Sequence, residues 1–312
     1  MAIASTKKPV LPAPSRAERL ARWRDVQFGW FLVLPSLALV VVVVLYPLAY
    51  SLWISLHSYT LTRRGEFQFI GLTNYTDFLT SPRFWGVIST TTLFTVISVF
   101  FTLVLGIGVA LVLNQSFVGR RLVRSLILLP WVLPTVVVGT TWLWIYNGNY
   151  GALNGLLLQL GLITDYRTWL GDPGLALYMV IAVKVWKEVP FVALILLASL
   201  QGIPRNLYEA ARIDGASTVV AFRRITLPLL KPGLLVVSVL QTMWAFRVFD
   251  IIFPLTGGGP ADKTMVVAYL TYHETFKGLR FGSGAALSYI VTLIIMGIAL
   301  LYIKLLSSEV EY

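Results

Sequence analysis

The chain reads as an all-α polytopic membrane protein, and three observations predict that class. Hydrophobic residues make up 57% of the 312 positions and charged ones only 12%, and the mean hydropathy is +0.78, far from the balance of soluble domains. Apolar runs recur along the chain, each at least as long as the roughly 20 residues a helix needs to cross the hydrocarbon layer. None alternates in polarity over the roughly ten residues of a barrel strand, so the spans are helical.

The elements follow in order. Residues 1–28 form a basic tail with Lys7, Lys8, Arg16, Arg19, Arg22 and Arg24, interrupted by Pro9, Pro12 and Pro14. The first apolar run, 29–56, is too long for the apolar stretch of a signal peptide, and no small-residue cleavage pattern closes it, so it is expected to remain as a span. Further runs occupy 85–113, 122–146, 175–200, 229–255 and 285–306. Six spans are therefore expected in a transmembrane domain over 29–312. The connections about 57–84, 147–174 and 256–284 are long enough to meet a partner but too short to be domains.

Orientation follows from the basic residues. With the N-terminus inside, its side receives the six of the tail, Arg120, Arg121, Arg124, Arg205, Arg212, Arg223, Arg224, Lys231 and Lys304. The other side receives Arg63, Arg64, Arg83, Arg167, Lys263, Lys277 and Arg280. The excess places both termini in the cytoplasm. The same rule accounts for the net charge of +11, and no nucleic-acid partner is expected. The absence of cysteine and the presence of only His57 and His273 exclude a disulfide framework and a thiolate or histidine metal site.

Prolines interrupt several spans, notably Pro130 and Pro134 in the third, Pro190 in the fourth and Pro254 in the fifth. Each frees a backbone carbonyl and bends its helix. Ionisable residues stand in the same spans: Lys184, Lys187 and Glu188 in the fourth, Arg247 and Asp250 in the fifth. Lys184 and Glu188 are four apart and Arg247 and Asp250 three apart, so each pair is expected to meet along one helix face, toward the bundle interior. Two roles stay open for them, neutralising pairs that lock helices together or the lining of a polar path. For the path the candidates are Trp186, Glu188, Trp244, Phe246, Arg247, Phe249 and Asp250, since aromatic faces beside polar groups suit sugar rings.

Between the fourth and fifth spans, 204–228 is polar and basic. Pro204 suits a first helical position, a helix is expected over 205–214, and Gly215 suits its stop. Ser217 or Thr218 would cap a second short helix ending near Leu227, and Pro228 would open the fifth span. Leu207, Ala210 and Ala211 form a small apolar face flanked by Glu209 and Asp214. Alanines bind lipid poorly, so this face suits a protein groove better than a lipid surface.

The spacing Glu209-Ala210-Ala211, Gly215, Ile225, Leu227-Pro228 resembles the EAA signature of the membrane subunits of ATP-binding-cassette (ABC) importers. Tyr46-Pro47, Gly71-Leu72-Thr73-Asn74-Tyr75, Trp186 with Pro190-Phe191, Phe249-Asp250 and 255–260 (Leu-Thr-Gly-Gly-Gly-Pro) are similar to the sugar-type permeases related to the maltose and glycerol-phosphate importers. The resemblance implies a bacterial inner-membrane permease subunit without catalytic residues. Its partners would be a second, homologous permease, a dimeric cytoplasmic ATPase, an extracytoplasmic solute-binding protein and membrane lipid. By the same resemblance Glu209, Ala210, Ala211, Asp214, Gly215, Ile225, Leu227 and Pro228 would couple to the ATPase, which would carry the ATP and Mg²⁺. No cofactor is expected on this chain: its nearest approach to a phosphate loop, 257–264, carries Asp262 where glycine is needed. Two other classes would need features of their own. A self-sufficient secondary transporter should show repeats and free membrane carboxylates, and a membrane-embedded transferase needs a cluster of Asp, Glu or His at the membrane surface; neither pattern appears.

Overall fold

The computed structural model describes residues 16–62 and 67–307, so the first fifteen residues of the basic tail, and Arg63 and Arg64, lie outside the described residues. The chain divides into two units, Met1–Ile54 and Ser55–Tyr312. In the first unit, helix α1 (Arg16–Val40) passes through a widened turn, Val41–Leu45, into α2 (Tyr46–Ser55). The helix thus begins well before residue 29. The widened turn has a cause: Pro47 has no N–H to give the carbonyl four residues back, and a π-type turn before it lets the helix continue. Residues 27–50 of this apolar stretch are exposed along their length.

The second unit is a helical bundle capped by short elements. A two-residue ribbon pairs β1 (His57–Ser58) with β2 (Gln68–Phe69), antiparallel, His57 opposite Phe69. Helix α3 (Thr73–Thr80) follows. Its Asn74 amide donates to the carbonyls of Ser55, at 2.8 Å, and His57, at 3.0 Å, and Gly71 takes φ +60° to bring the chain there. The Gly71–Tyr75 motif therefore closes this loop.

The long helix α4 (Pro82–Asn114) starts under a Ser81 cap. The third span is not one helix: α5 (Arg120–Ile127), α6 (Leu129–Val132) and α7 (Thr135–Ile145) replace it, with a bend of 91° at the break between Val132 and Thr135. After α8 (Ala152–Gln159) comes α9 (Ala176–Gln201), which runs through Pro190 without a break. Then α10 (Arg205–Ile213), α11 (Thr218–Ala221), a widened turn Phe222–Thr226 and α12 (Leu227–Phe246) follow. Two sequence expectations are corrected here. The second short helix does not end near Leu227 but continues as one helix over Thr218–Phe246, because the widened turn again accommodates a proline, Pro228, as at Pro47. The fifth span stops at Phe246 instead of reaching residue 255; α13 (Ile252–Leu255) is separate. Helices α14 (Val267–Tyr272) and α15 (Phe281–Ser307) complete the chain.

Among the described residues four helices are long and apolar enough to cross a membrane, Gln27–Ser55, Pro82–Asn114, Thr218–Phe246 and Phe281–Lys304, and the bent pair forms a fifth if it counts as one span. Helix α9, at 26 residues, is of comparable length, but Lys184, Lys187 and Glu188 interrupt its apolar run.

The pairing of α4 with α9 is the most extensive between helices. Phe84, Phe94, Val180, Val183, Ile252 and Leu287 pack one buried cluster, and Ala110, Leu113, Ala193, Leu196, Leu230 and Val237 a second, nearer the 204–228 segment. Close approach depends on Gly106: a Cβ there would lie 2.5 Å from Val192 Cγ1, and Val192, fully buried and β-branched, has little rotamer freedom in a helix. Gly106→Ala is expected to destabilise the bundle by about 1–3 kcal/mol, read as a lower unfolding midpoint in detergent, with Val192→Ala restoring most of the loss in the double variant. Additive losses in the double variant would contradict this contact.

Candidate functional site

The site is built from helix ends in the middle of the bundle. At the break of the third span, Leu133 and Pro134 are extended, with ψ of 138° and 132°. Pro134 has no N–H for the Pro130 carbonyl, and the extended backbone withholds later partners from Trp131 and Leu133. Those three carbonyls find one donor. The Lys187 ammonium, on α9, lies 2.9 Å from the Leu133 oxygen, 3.0 Å from that of Trp131 and 3.5 Å from that of Pro130. Lys187 is only 5% exposed, and a cation at the C-terminal end of a helix is favoured electrostatically. One turn earlier, Lys184 pairs with Glu188 at 3.1 Å, the i, i+4 pairing its sequence spacing predicts. The second Glu188 oxygen accepts from the Gln241 amide of α12 at 3.3 Å. All four side chains are buried.

A cavity of about 460 Å³ adjoins this network; Thr135, Lys184, Glu188, Trp244, Arg247, Phe249 and Asp250 are among its lining. Two helix ends border it. Thr135 opens α7, whose first N–H groups have no side-chain cap, and Arg247 closes α12. Donor-rich and acceptor-rich backbone thus meet at one hollow. Arg247 and Asp250 form no ion pair. Their expected helical face does not exist, because α12 ends one residue before Arg247 and the backbone turns; both side chains are exposed.

Of the seven path candidates, Glu188, Trp244, Arg247, Phe249 and Asp250 come together at this cavity. Phe246 does not: it is 4% exposed and packed in the core. Trp186 points to the other side of α9, into an apolar groove with Tyr178 and Phe101, its ring edge-on to Trp142 at 5.5 Å. Sequence reasoning missed Gln241 and Thr135. Gln241 had a signal, an amide inside an apolar run; Thr135 had none beyond following Pro134.

The 204–228 segment has a different character. Helix α10 starts after Pro204 and closes as a Schellman-type turn: the Ala216 N–H reaches the Ala211 carbonyl at 2.8 Å, with Gly215 at φ +76°. Ser217 accepts from the Val220 N–H at 3.4 Å and caps α11. The underside is fastened by Tyr208 to Thr226, 2.9 Å between hydroxyls, by half-buried Ile225 and by buried Ile203. Glu209, Ala210, Asp214, Gly215, Leu227 and Pro228 are exposed, and Ala211 is half-buried. Ile213, which the sequence reading passed over, is 87% exposed beside them. Leu227 and Pro228 belong to α12 and not to a separate helix.

The sequence profile of the family described as "Binding-protein-dependent transport system inner membrane component" matches residues 102–307. The chain belongs to that family. It is an ABC importer permease, a non-catalytic transport component of the inner membrane. This permease is 40% identical over 283 residues to the trehalose/maltose transport system permease protein MalF of Thermococcus litoralis, covering 91% of this chain and 95% of that one. It is 31% identical over 302 residues to the sn-glycerol-3-phosphate transport system permease protein UgpA of Yersinia pestis, covering 96% and 99%. The fold matches a chain of a bacterial ABC transporter involved in the import of the acidic polysaccharide alginate, with TM-score 0.79 and 24% identity over 94% of this chain and all of that one.

The buried network gives the permease a measurable signature. Lys184→Met would leave Glu188 charged and buried with only Gln241, costing about 3–5 kcal/mol. In unfolding of the purified permease, adding Glu188→Gln to that variant should recover most of the loss. A double variant no more stable than Lys184→Met would refute the pairing.

Proposed function

We propose that this permease forms, with a second homologous permease, the membrane path of a sugar importer, and that 204–228 is where a dimeric cytoplasmic ATPase docks. The segment's build carries the docking reading: Glu209, Ala210, Asp214, Gly215 and Ile213 are exposed while Tyr208, Ile225 and Ile203 fasten it beneath. An exposed apolar Ile213 between acidic residues suits a protein groove. The trehalose/maltose name of its 40%-identical relative and the cavity's composition support the solute class. Two basic and two acidic side chains balance there, and Trp244 and Phe249 offer apolar faces, a lining suited to a hydroxyl-rich neutral ring.

The six spans are those of α1–α2, α4, the broken α5–α7, α9, α12 and α15. A proline-broken span is tolerated at membrane depth where its freed groups are satisfied, and the three buried charges of α9 are paired or bonded. Both termini and 204–228 are cytoplasmic, by the distribution of lysine and arginine. Residues 27–50, exposed along their length, offer an apolar surface to lipid or to the second permease. An extracytoplasmic binding protein would deliver solute, consistent with the family's description and with the similar alginate transporter solved with a bound periplasmic protein. ATP and Mg²⁺ would be held by the ATPase, and this chain would bind no cofactor. In operation, closure of the ATPase pair would move α10, α9 and α12 would follow as rigid extensions, and the cavity at their broken neighbours would open alternately to the two sides.

Glu209→Lys, or Gly215 replaced by valine against its positive φ, should reduce solute-stimulated ATP hydrolysis at least tenfold or release the ATPase on purification. Normal stimulation in both variants would sink the docking reading. For orientation, Ser217→Cys should react with a membrane-impermeant maleimide only after the cytoplasmic face is opened; labelling of intact cells would invert the topology.

A further inference from the structure

The geometry points to Lys187 as a positioning residue, a tethered cation in a cage of backbone carbonyls through which α9 moves the broken third span. The inference rests on the docking reading of 204–228. Two neighbouring lysines of α9 are used differently. Lys184 neutralises Glu188 on its own helix at 3.1 Å. The Lys187 side chain, next in sequence to that same carboxylate, instead donates to the carbonyls of Pro130, Trp131 and Leu133, 54 to 57 residues away. Its ammonium has three N–H groups, and three protein oxygens face it.

The placement makes this contact mechanical. Helix α9 is continuous from Ala176 to Gln201 and leads through buried Ile203 to α10, so displacement of the docking segment travels along it. One turn from Lys187, Phe191 stacks on Trp131, ring centroids 5.2 Å apart and planes 21° apart. Thr135, which borders the cavity, is two residues beyond the caged Leu133 carbonyl. A shift of α9 therefore moves the cavity wall through the ammonium and not only through side-chain packing. Lys187 is buried, and backbone carbonyls freed inside a membrane protein must keep a donor, so the tie is expected to hold while the helices move.

The test uses the assembled importer in proteoliposomes, reading solute transported per ATP hydrolysed. Lys187→Met keeps the stem and removes the charge; Lys187→Ala leaves room where an alkylammonium ion can sit. With the ATPase still bound and hydrolysing, both variants should show at least tenfold less transport per ATP. Ethylammonium should restore the Lys187→Ala variant at least threefold and leave Lys187→Met unchanged. Wild-type coupling in Lys187→Met, or failure of ethylammonium to separate the two variants, overturns the inference. If both variants fail to assemble, Lys187→Arg decides: it should assemble and couple within threefold of wild type, and an Arg variant that fails like Met overturns it. Failure of the docking reading would appear elsewhere, as normal stimulation in Glu209→Lys.

Discussion

Backbone carbonyls at bilayer depth must be satisfied from within the protein, and much of this permease is arranged around that constraint. Pro130 and Pro134 break the third span at the level of its neighbours' charges. The break would be costly if left bare. The Lys187 ammonium, itself costly to bury alone, meets the carbonyls of that break, so each unfavourable group satisfies the other. Elsewhere the same constraint takes a milder form. Before Pro47 and before Pro228 the helix widens by one residue and goes on, so these prolines leave their spans intact.

The two proline outcomes separate continuous helices from broken ones. Where the chain widens, α11 and α12 become one element from Thr218 to Phe246, joining the surface segment to the cavity. Where the chain breaks, half-helices end beside a hollow lined by Thr135, Trp244, Arg247 and Asp250. Helix α9 stays continuous through Pro190 with no widened turn, and it carries the buried Lys184–Glu188 pair that Gln241 joins to α12. Helices α9 and α12 are thus cross-linked by hydrogen bonding close to the cavity they border. Close backbone approach at Gly106 lets α4 pack tightly against α9.

Much of this was legible in residue order. Length and apolarity of the runs are local properties, and they predicted the helical membrane class. The Glu209–Pro228 spacing is also local, because helix, turn and cap follow from Pro204, Gly215 and Ser217 within a few residues of each other. Lys184 and Glu188 meet because both sit on one uninterrupted helix, where a separation of four is a contact. The same reasoning failed for Arg247 and Asp250, since nothing in the residues around them announces that α12 stops at Phe246. It failed for Phe246 and Trp186 because the face a residue presents is set by which helices pack on it.

The sequence by itself determined the class, the family and the position of the surface segment, since these rest on composition and on short-range spacing. Only the tertiary structure decided which prolines break a span and which are absorbed, and which charges are paired. It decided those things because a freed carbonyl or a buried ammonium is stable only when a partner from a distant part of the chain arrives beside it. For Lys187 that partner lies more than fifty residues back, at a break the sequence marks with two prolines but does not aim.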